Sequence, residues 1–275
     1  MSYANNFNNS LTKFYTNNSK SNLIDLKKNF LQLKKNCLDK NEKFILFKKF
    51  GISKKKLLDK IKIFSHLAKL LSQNDKNKKI IEVRANKKLL DKYKNKSKKN
   101  LRYHQTNLGG SIHTDGPQLL TPPKYILMAC AEQASNGGFS IISDAEKIYK
   151  DLKIKHPNIL KNLKKKFLFE RRGFKEQKIR FLSKKIFETS NTFKFRYLRD
   201  YIESSYKTKK KLNSFDIKCF DMLDKYLQNK KYQKKYKMNK GDLVIMNNFK
   251  LAHGRTKFSV SDKKQRNLLR VWLEK

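Results

Sequence analysis

The stretch "GGSIHTDGPQLLTPP", residues 109–123, constrains the fold more than any other part of the sequence. It places a histidine and an aspartate two positions apart, followed by a glycine and a Pro-Pro pair. On an extended strand, residues i and i+2 point to the same face, so His113 and Asp115 converge while Thr114 faces away. An imidazole and a carboxylate are two of the three ligands of a facial triad that suits Fe(II) and leaves three coordination positions open. A lone His-x-Asp is also common in solvated turns, so the motif needs a partner.

The third ligand of such a site would be a histidine from elsewhere in the chain, which has five. His253 is the best candidate, because it follows the apolar run "GDLVIMNNFKLA" (241–252), which reads as a strand, and precedes a turn signal at Gly254. The other histidines have poorer contexts for a ligand: His66 in an apolar helix, His104 on a strand before the motif, and His156 in a lysine-rich helix.

Two arginines further along, Arg266 and Arg270, are four residues apart in "RNLLRVWLE" (266–274), which also reads as a strand. This spacing puts them on one face, about 13 Å apart along the axis. Guanidinium groups inside a protein need anions to meet them, and the planar fork of arginine matches a carboxylate. A dicarboxylate co-substrate would satisfy both. The alternative is a solvated strand face in a lysine-rich protein.

The composition limits the classes of function. The chain has 275 residues with 38% hydrophobic content, which suffices for a core. A net charge of +44 suggests nucleic-acid binding. However, the excess is lysine spread along the whole chain beside much Asn, Ile and Phe, which is typical of an AT-rich coding sequence. Nucleic-acid sites concentrate arginine and aromatics on one face, so we expect no specific nucleic-acid partner.

The sequence also bears on the compartment. No apolar run approaches the roughly 20 residues that cross a bilayer, and the N-terminus lacks the features of a secretory signal. The three cysteines are widely spaced and fit neither a disulfide framework nor a zinc motif. We therefore expect a cytoplasmic protein without a membrane span.

The chain divides into regions of different character. Residues 1–20 are rich in Asn and Ser and are expected to be poorly ordered. Residues 21–100 are predicted to form a helical N-terminal extension, which includes a helix capped by Ser53 and one strand in "IIEVRAN" (80–86). From residue 101, short strands with Gly and Asn turns favour a sandwich or barrel decorated by helices. Residues 21–275 are read as a single domain.

The C-terminal region carries several local predictions. These are a strand, turn and strand over 124–145 with Asn136-Gly137-Gly138 at the turn, a helix broken at Pro157, a hairpin over 184–198, an amphipathic helix over 214–229, and the strands at 241–254 and 266–274.

The motifs in chain order resemble the taurine dioxygenase/TfdA-like family of Fe(II)- and 2-oxoglutarate-dependent oxygenases. They are "HTDG", "TPP", the Gly-Gly pair with Ser140, "HGR" at 253–255 and the arginines of 266–274. The resemblance covers residues 101–275. It implies a mainly β fold with flanking helices and a double-stranded β-helix (jelly-roll) core of the clavaminate synthase type, with the metal inside one end.

Site roles follow from the same resemblance. It implies that His113, Asp115 and His253 bind Fe(II), and that Arg266 binds the distal carboxylate of 2-oxoglutarate. Ser140 falls where the family usually has a threonine that hydrogen-bonds the same carboxylate.

The remaining site predictions concern the substrate side. By resemblance, Arg270 lies near the metal-proximal carboxylate or an anionic substrate, and Asn248 supports the ligands or contacts substrate, unless it merely caps a turn. The long basic segment 171–212 is predicted to form a lid. Arg199 within it is a candidate substrate contact, although it equally fits a surface arginine among many cations.

The resemblance implies a dioxygenase that hydroxylates a small-molecule metabolite, using Fe(II), 2-oxoglutarate and O₂ and releasing succinate and CO₂. A glycine, Gly109, stands where taurine dioxygenases carry an asparagine, which argues against taurine. The alternatives are a nucleic-acid oxygenase of the AlkB type and a non-enzymatic anion-binding protein on the same fold. Homo-oligomerisation is left open.

Overall fold

The computed structural model describes residues 3–17, 20–40, 42–74, 76–85, 106–110, 112–171, 180–209, 212–260 and 265–274. The α-helices are α1 (Tyr3–Asn17), α2 (Lys20–Leu33), α3 (Lys54–Ile63), α4 (Ala145–Lys155), α5 (Pro157–Leu163), α6 (Arg199–Lys209) and α7 (Ser214–Gln228). Within the described parts of the chain, no helix has the length and apolar character needed to span a membrane.

The strands form two main sheets and two small hairpins. They are β1 (Phe44–Phe47), β2 (Leu70–Leu71), β3 (Ile80–Arg84), β4 (Tyr125–Glu132), β5 (Ser140–Asp144), β6 (Lys166–Glu170), β7 (Phe181–Lys185), β8 (Phe187–Glu188), β9 (Lys194–Phe195), β10 (Gln233–Tyr236), β11 (Leu243–Asn247), β12 (Leu251–Arg255) and β13 (Asn267–Leu273). The larger sheet has the order β1-β11-β4-β13-β2, with β3 also paired to β13, and the smaller sheet has the order β10-β5-β12.

The two sheets face each other as a jelly-roll sandwich that is not closed into a barrel. Strand β4 contributes to two cores, because its alternate side chains point to opposite faces of the larger sheet. Ile126 and Cys130 pack between the sheets with Ile142 of β5. Leu127 and Ala129 pack on the opposite face against the N-terminal helices. Because both faces of β4 are covered, its sequence is a nearly continuous apolar run.

The N-terminal segment is ordered where disorder was expected. Of residues 1–20, residues 3–17 form α1, and its buried side chains are Phe7, Leu11 and Phe14. These three apolar residues follow helical spacing, and they pack into the core beside the larger sheet. The Asn- and Ser-rich composition masked this stripe, so the prediction of a poorly ordered N-terminus was wrong.

The strand predicted in 80–86 is confirmed as β3, but the boundary near residue 100 needs correction, because the N-terminal region is not an extension of the sheet region. Strands β1 and β3 lie within it, and they pair with β11 and β13 of the larger sheet. The Ser53 N-cap is confirmed, since its side chain accepts a hydrogen bond from the Lys56 backbone N–H. The region is thus part of the sandwich.

The strands at 124–145 exist but do not form a hairpin, because β4 belongs to the larger sheet and β5 to the smaller one. The glycines between them have the expected positive φ angles, 74° at Gly137 and 69° at Gly138. The helix break at Pro157, the β8–β9 hairpin and helix α7 are confirmed.

The run 241–254 forms two strands rather than one. Strand β11 ends at Asn247, and β12 begins at Leu251 in the other sheet. The turn therefore precedes His253, and Gly254 lies within β12. Of the predicted lid at 171–212, residues 172–179 and 210–211 lie outside the described residues.

Candidate metal centre and its pocket

Backbone pairing brings the two distant halves of the predicted metal site together. His113 forms an isolated antiparallel bridge with His253 at the edge of the smaller sheet. The amide of His113 donates to the carbonyl of His253 at 2.9 Å, and the reverse bond is 2.7 Å. The two imidazole ring centroids lie 4.7 Å apart. The predicted convergence therefore depends on this edge contact.

The Asp115 carboxylate completes the cluster. Its Oδ1 atom lies 3.8 Å from Nε2 of His113 and 3.9 Å from Nε2 of His253. One ligand atom from each residue lies within 4.8 Å of the others, and all three residues are buried. Two imidazoles and one carboxylate around a common point form a donor set that suits Fe(II).

The Asn248 side chain holds the Asp115 backbone. Its Oδ1 accepts from the Asp115 amide, and its Nδ2 donates to the carbonyls of Asp115 and Pro123, each bond being 2.9 Å long. The turn cap belongs instead to the neighbouring Asn247, whose Oδ1 accepts from the Phe249 amide at 3.0 Å. Asn248 thus fixes the backbone that carries the carboxylate.

Residues 196 and 197, far away in sequence, form hydrogen bonds with the His-x-Asp motif and the loop that follows it. The Thr114 amide donates to the Tyr197 carbonyl at 2.9 Å, and the Tyr197 amide donates to Thr114 Oγ1 at 3.0 Å. The guanidinium of Arg196 donates to the carbonyls of Leu119 at 2.7 Å and Leu120 at 3.2 Å. The loop around the His-x-Asp motif is therefore held by hydrogen bonds to residues 196 and 197 rather than by a regular strand.

Both oxygens of the Asp115 carboxylate have donors. Arg270 Nη1 donates to Oδ1 at 3.0 Å, and Trp272 Nε1 donates to Oδ2 at 2.8 Å. Burial by itself would raise the pKa of Asp115, but the positive charge of Arg270, assisted by the two histidines and the indole hydrogen bond, lowers the pKa to about 2. The carboxylate is therefore ionised at neutral pH.

Burial acts on His253 in the opposite sense. It disfavours the imidazolium, and although Asp115 raises the pKa of His253, the net effect lowers it to about 3. A neutral imidazole beside an ionised carboxylate is the protonation state that metal ligands require. The residues present therefore fit a divalent metal such as Fe(II).

A pocket opens beside the cluster, between the two sheets. His113 and His253 lie on its wall with Ser140, Arg266 and Arg270. Its remaining lining is largely apolar: Val83, Met128, Ile141, Ile142, Tyr236, Met238, Val244, Met246, Gly254, Arg255 and Leu268. Such a mainly apolar cavity with a few polar groups has the usual character of a small-molecule site.

Ser140 and Arg266 line the same pocket, and the local backbone positions each of them. Ser140 begins β5 and lies opposite Arg255 of β12 and Tyr236 of β10. Arg266 is 3% exposed, and its guanidinium carbon lies 5.5 Å from the centre of the Phe258 ring. A Cβ added at Gly138 would lie 3.1 Å from Cδ of Arg266, so a glycine there leaves room for the arginine.

Arg199 lies in a different environment. It starts α6, and its guanidinium binds Glu203 and Asp221 at 2.7 Å and Asp224 at 2.8 Å. Partial burial opposes its charge, but the three carboxylates outweigh burial and raise the pKa of Arg199. It does not line the described pocket, and it joins α6 to α7.

Several residues near the centre escaped the sequence analysis. Gln73, which binds Arg270, had no recognisable signal, since 197 positions separate the two residues. Trp272 offered a weak signal as the single tryptophan of the chain. Arg255, in the "HGR" motif, donates to the carbonyls of Leu108 and Thr106 at 2.5 Å, which ties the loop before the motif to β12.

A jelly-roll sandwich with a buried cluster of two histidines and one carboxylate beside a pocket defines the class of non-haem iron oxygenases. Within this class, the profile of the taurine catabolism dioxygenase TauD, TfdA family matches residues 24–272. The chain belongs to this family, whose members are dioxygenases that use Fe(II), 2-oxoglutarate and O₂. This result favours an enzyme over an anion-binding protein and the TauD/TfdA class over the AlkB type.

Solved structures share the fold at low sequence identity. The non-heme iron oxygenase OrfP in complex with Fe and alpha-ketoglutaric acid superposes with a TM-score of 0.67 and 11% identity, covering 99% of this chain and 91% of that one. Asparagine oxygenase in complex with Fe(II), 2S,3S-3-hydroxyasparagine and succinate gives 0.67 and 10%, covering 99% and 92%. A taurine dioxygenase from Burkholderia xenovorans gives 0.58 and 12%, covering 93% and 82%.

Proposed function

We propose that His113, Asp115 and His253 bind the Fe(II) of this dioxygenase and that Arg266 and Ser140 bind 2-oxoglutarate. The observation that carries this proposal is the convergence of the three ligand atoms, which lie within 4.8 Å of one another in a buried site. An ionised carboxylate and a neutral His253 can ligate a metal without first exchanging protons.

The binding of 2-oxoglutarate uses the pocket beside the cluster. The keto acid end would face the metal ligands, while the distal carboxylate would meet Arg266 and the Ser140 hydroxyl, which both line the pocket. The guanidinium is buried, so its hydrogen bonds to a carboxylate form in a site of low dielectric and are strong. The aliphatic lining suits the methylene groups of the keto diacid.

With Fe(II), 2-oxoglutarate and O₂ bound, the available chemistry is decarboxylation of the keto acid to succinate and CO₂, coupled to hydroxylation of a substrate C–H bond. The chain contributes orientation and exclusion of water. Asn248 and the Thr114–Tyr197 pair hold the ligand backbone in place. The Met and Val side chains of the pocket keep bulk water away from the reacting atoms.

The substrate we propose is a small amino acid or a similar small metabolite. The structures of OrfP and asparagine oxygenase that share this fold contain hydroxylated arginine and hydroxylated asparagine. We further propose that the enzyme acts in the cytoplasm, which is supported by three cysteines that are all free thiols. The lid predicted over 171–212 and the substrate contact predicted at Arg199 stay predictions.

The metal site can be tested anaerobically with Fe(II) and 2-oxoglutarate, whose complex gives a weak visible charge-transfer band. The wild-type protein and a His66→Ala control should both show the band, because His66 lies outside the cluster. The His113→Ala variant should lose it. A band that persists in His113→Ala would contradict the proposed ligand set.

The substrate class can be tested by measuring succinate release with a panel of free amino acids and related acids. An amino acid substrate should raise succinate release above the uncoupled rate, together with formation of a product heavier by one oxygen atom. If other small metabolites stimulate turnover and no amino acid does, the amino-acid proposal is wrong.

A further inference from the structure

We propose that Gln73 and Trp272 position the Asp115 carboxylate so that it binds the metal through one oxygen. Gln73 acts through Arg270, whereas Trp272 acts directly. This inference rests on the proposed metal site, and it assigns a role in that site to a residue of the N-terminal region. Neither residue would contact the metal.

Gln73 forms two hydrogen bonds with Arg270. Its Oε1 accepts from Arg270 Nε at 2.7 Å, and its Nε2 donates to the Arg270 carbonyl at 2.9 Å. The same Nε2 donates to the Lys79 carbonyl at 2.9 Å, which anchors the amide to its own segment. Gln73 is 4% exposed, so these bonds form away from water. Together they restrict both the backbone and the guanidinium of Arg270.

The restricted guanidinium then acts on the metal ligand. Arg270 Nη1 lies 3.0 Å from Asp115 Oδ1. The guanidinium carbon also lies 5.1 Å from the centre of the Trp272 ring, which limits its movement on another side. An arginine held at Nε by Gln73 and packed on the indole presents Nη1 to the carboxylate in one orientation.

The two carboxylate oxygens differ in what they face. Oδ1 faces both imidazoles, at 3.8 Å and 3.9 Å from their Nε2 atoms. Oδ2 is engaged by the indole N–H of Trp272 at 2.8 Å. Oδ1 also accepts from Arg270 Nη1 at 3.0 Å, but it faces both imidazoles, whereas Oδ2 lies against the indole. Asp115 would therefore bind the metal through Oδ1 alone. Single-oxygen binding keeps three coordination positions open for the keto acid and O₂.

The test uses Co(II) as the probe in the full-length protein. We expect Gln73→Met to weaken Co(II) binding about 10-fold, in the range typical of residues that support metal ligands. Its 2-oxoglutarate affinity at saturating Co(II) should remain at the wild-type value. Gln233→Met is the matched control, because Gln233 makes a similar side-chain bond to the Leu227 carbonyl at 2.8 Å and does not line the pocket. The control should bind Co(II) like the wild type.

Trp272→Phe tests the second half of the inference. Removing the indole N–H should let Asp115 chelate through both oxygens, which would take up one of the three open coordination positions and change the visible Co(II) bands. An unchanged Co(II) spectrum would overturn the single-oxygen assignment.

The outcomes separate this inference from the proposed function. If wild-type protein binds Co(II) through His113 but Gln73→Met binds it equally well, only the inference is wrong. The same holds if Gln73→Met and Gln233→Met lose affinity together, or if Gln73→Met loses 2-oxoglutarate affinity alone. If His113→Ala binds Co(II) like the wild type, the metal site itself is wrong and the inference falls with it.

Discussion

Arg270 at the metal end of the pocket and Arg199 at the start of α6 both bind carboxylates, but their surroundings differ. The Arg270 and Asp115 side chains are 10% and 5% exposed. Arg199 is 21% exposed, and its partners Asp221 and Asp224 are 54% and 25% exposed. A buried ion pair depends strongly on both partners, whereas a partly solvated network tolerates losing one. The same residue type therefore binds a carboxylate of the proposed metal site in one region and joins two helices in the other.

The largest effect is expected for Asp115→Ala. Removing the carboxylate leaves Arg270 buried without its main anionic partner, which should lower the free energy of unfolding by about 3 kcal/mol. Metal binding should also be lost. Chemical denaturation in the presence of a chelator, followed by Co(II) titration, measures both effects.

The control for this variant is Asp221→Ala in the exposed network, which should change the free energy of unfolding by about 0.5 kcal/mol or less. Equal losses in the two variants would show that the two regions do not differ as described.

Arg266→Leu should raise the KM for 2-oxoglutarate about 10- to 100-fold, the range for losing hydrogen bonds to a charged group. Its Co(II) affinity should remain unchanged, because Arg266 is not one of the three proposed ligands. Arg199→Leu should leave the KM for 2-oxoglutarate at the wild-type value. Steady-state succinate assays with varied 2-oxoglutarate decide the matter, and a similar rise in both variants would refute the assignment of Arg266.

The Arg199→Met variant tests whether Arg199 only joins α6 to α7 or also contacts the substrate. Loss of the ion pairs between α6 and α7 should lower the free energy of unfolding by about 1 kcal/mol. If Arg199 serves packing alone, the KM for the primary substrate should not change. A rise in that KM, without a change in the KM for 2-oxoglutarate, would instead support Arg199 as a substrate contact.

The smallest expected effect is a pH dependence of stability. It concerns the ion pairs of Lys43, whose partners are less exposed than those of Arg199 and more exposed than Asp115. Lys43 is buried and binds Asp144 at 2.7 Å and Glu146 at 3.0 Å. Burial would raise the pKa of Glu146, but the hydrogen bond and charge of Lys43 lower it below the ordinary value of 4.5. Since the folded pKa is lower than the unfolded one, this stabilisation is present above pH 4.5 and is lost as the pH falls through the folded pKa.

Thermal unfolding of wild type and Lys43→Met between pH 3 and pH 7 tests this dependence. The wild type should lose more stability on acidification than the variant, because the variant keeps Lys250 but lacks Lys43, the lysine that lowers the pKa of Glu146 most. Parallel pH profiles would rule out a contribution from this pair.

Much of the fold was accessible from local pattern. The apolar strands, the Ser53 cap and the break at Pro157 depend on neighbours in sequence, and the structure confirms them. Pairing was harder to predict. Strands β4 and β5 are adjacent in sequence but belong to different sheets, and a positive φ at Gly137 fits either arrangement. The apolar stripe of α1 was hidden by its polar composition.

At the candidate site, too, local features were predictable from the sequence and long-range contacts were not. The spacing of His113 and Asp115, and of Arg266 and Arg270, is a property of the chain that predicted which side chains share a face. The partners of those side chains were not predictable. The contact of Gln73 with Arg270 joins residues 197 positions apart, and no local rule relates them.

The sequence by itself determined the types of donor at the site and their order along the chain, because these depend on side-chain chemistry and strand periodicity. The tertiary structure decided which oxygen of Asp115 faces the imidazoles and which faces Trp272. It also decided that Arg199 faces carboxylates of α7. The reason is that burial and long-range pairing fix the environment of each charge, and both arise only when the two sheets and their helices pack together.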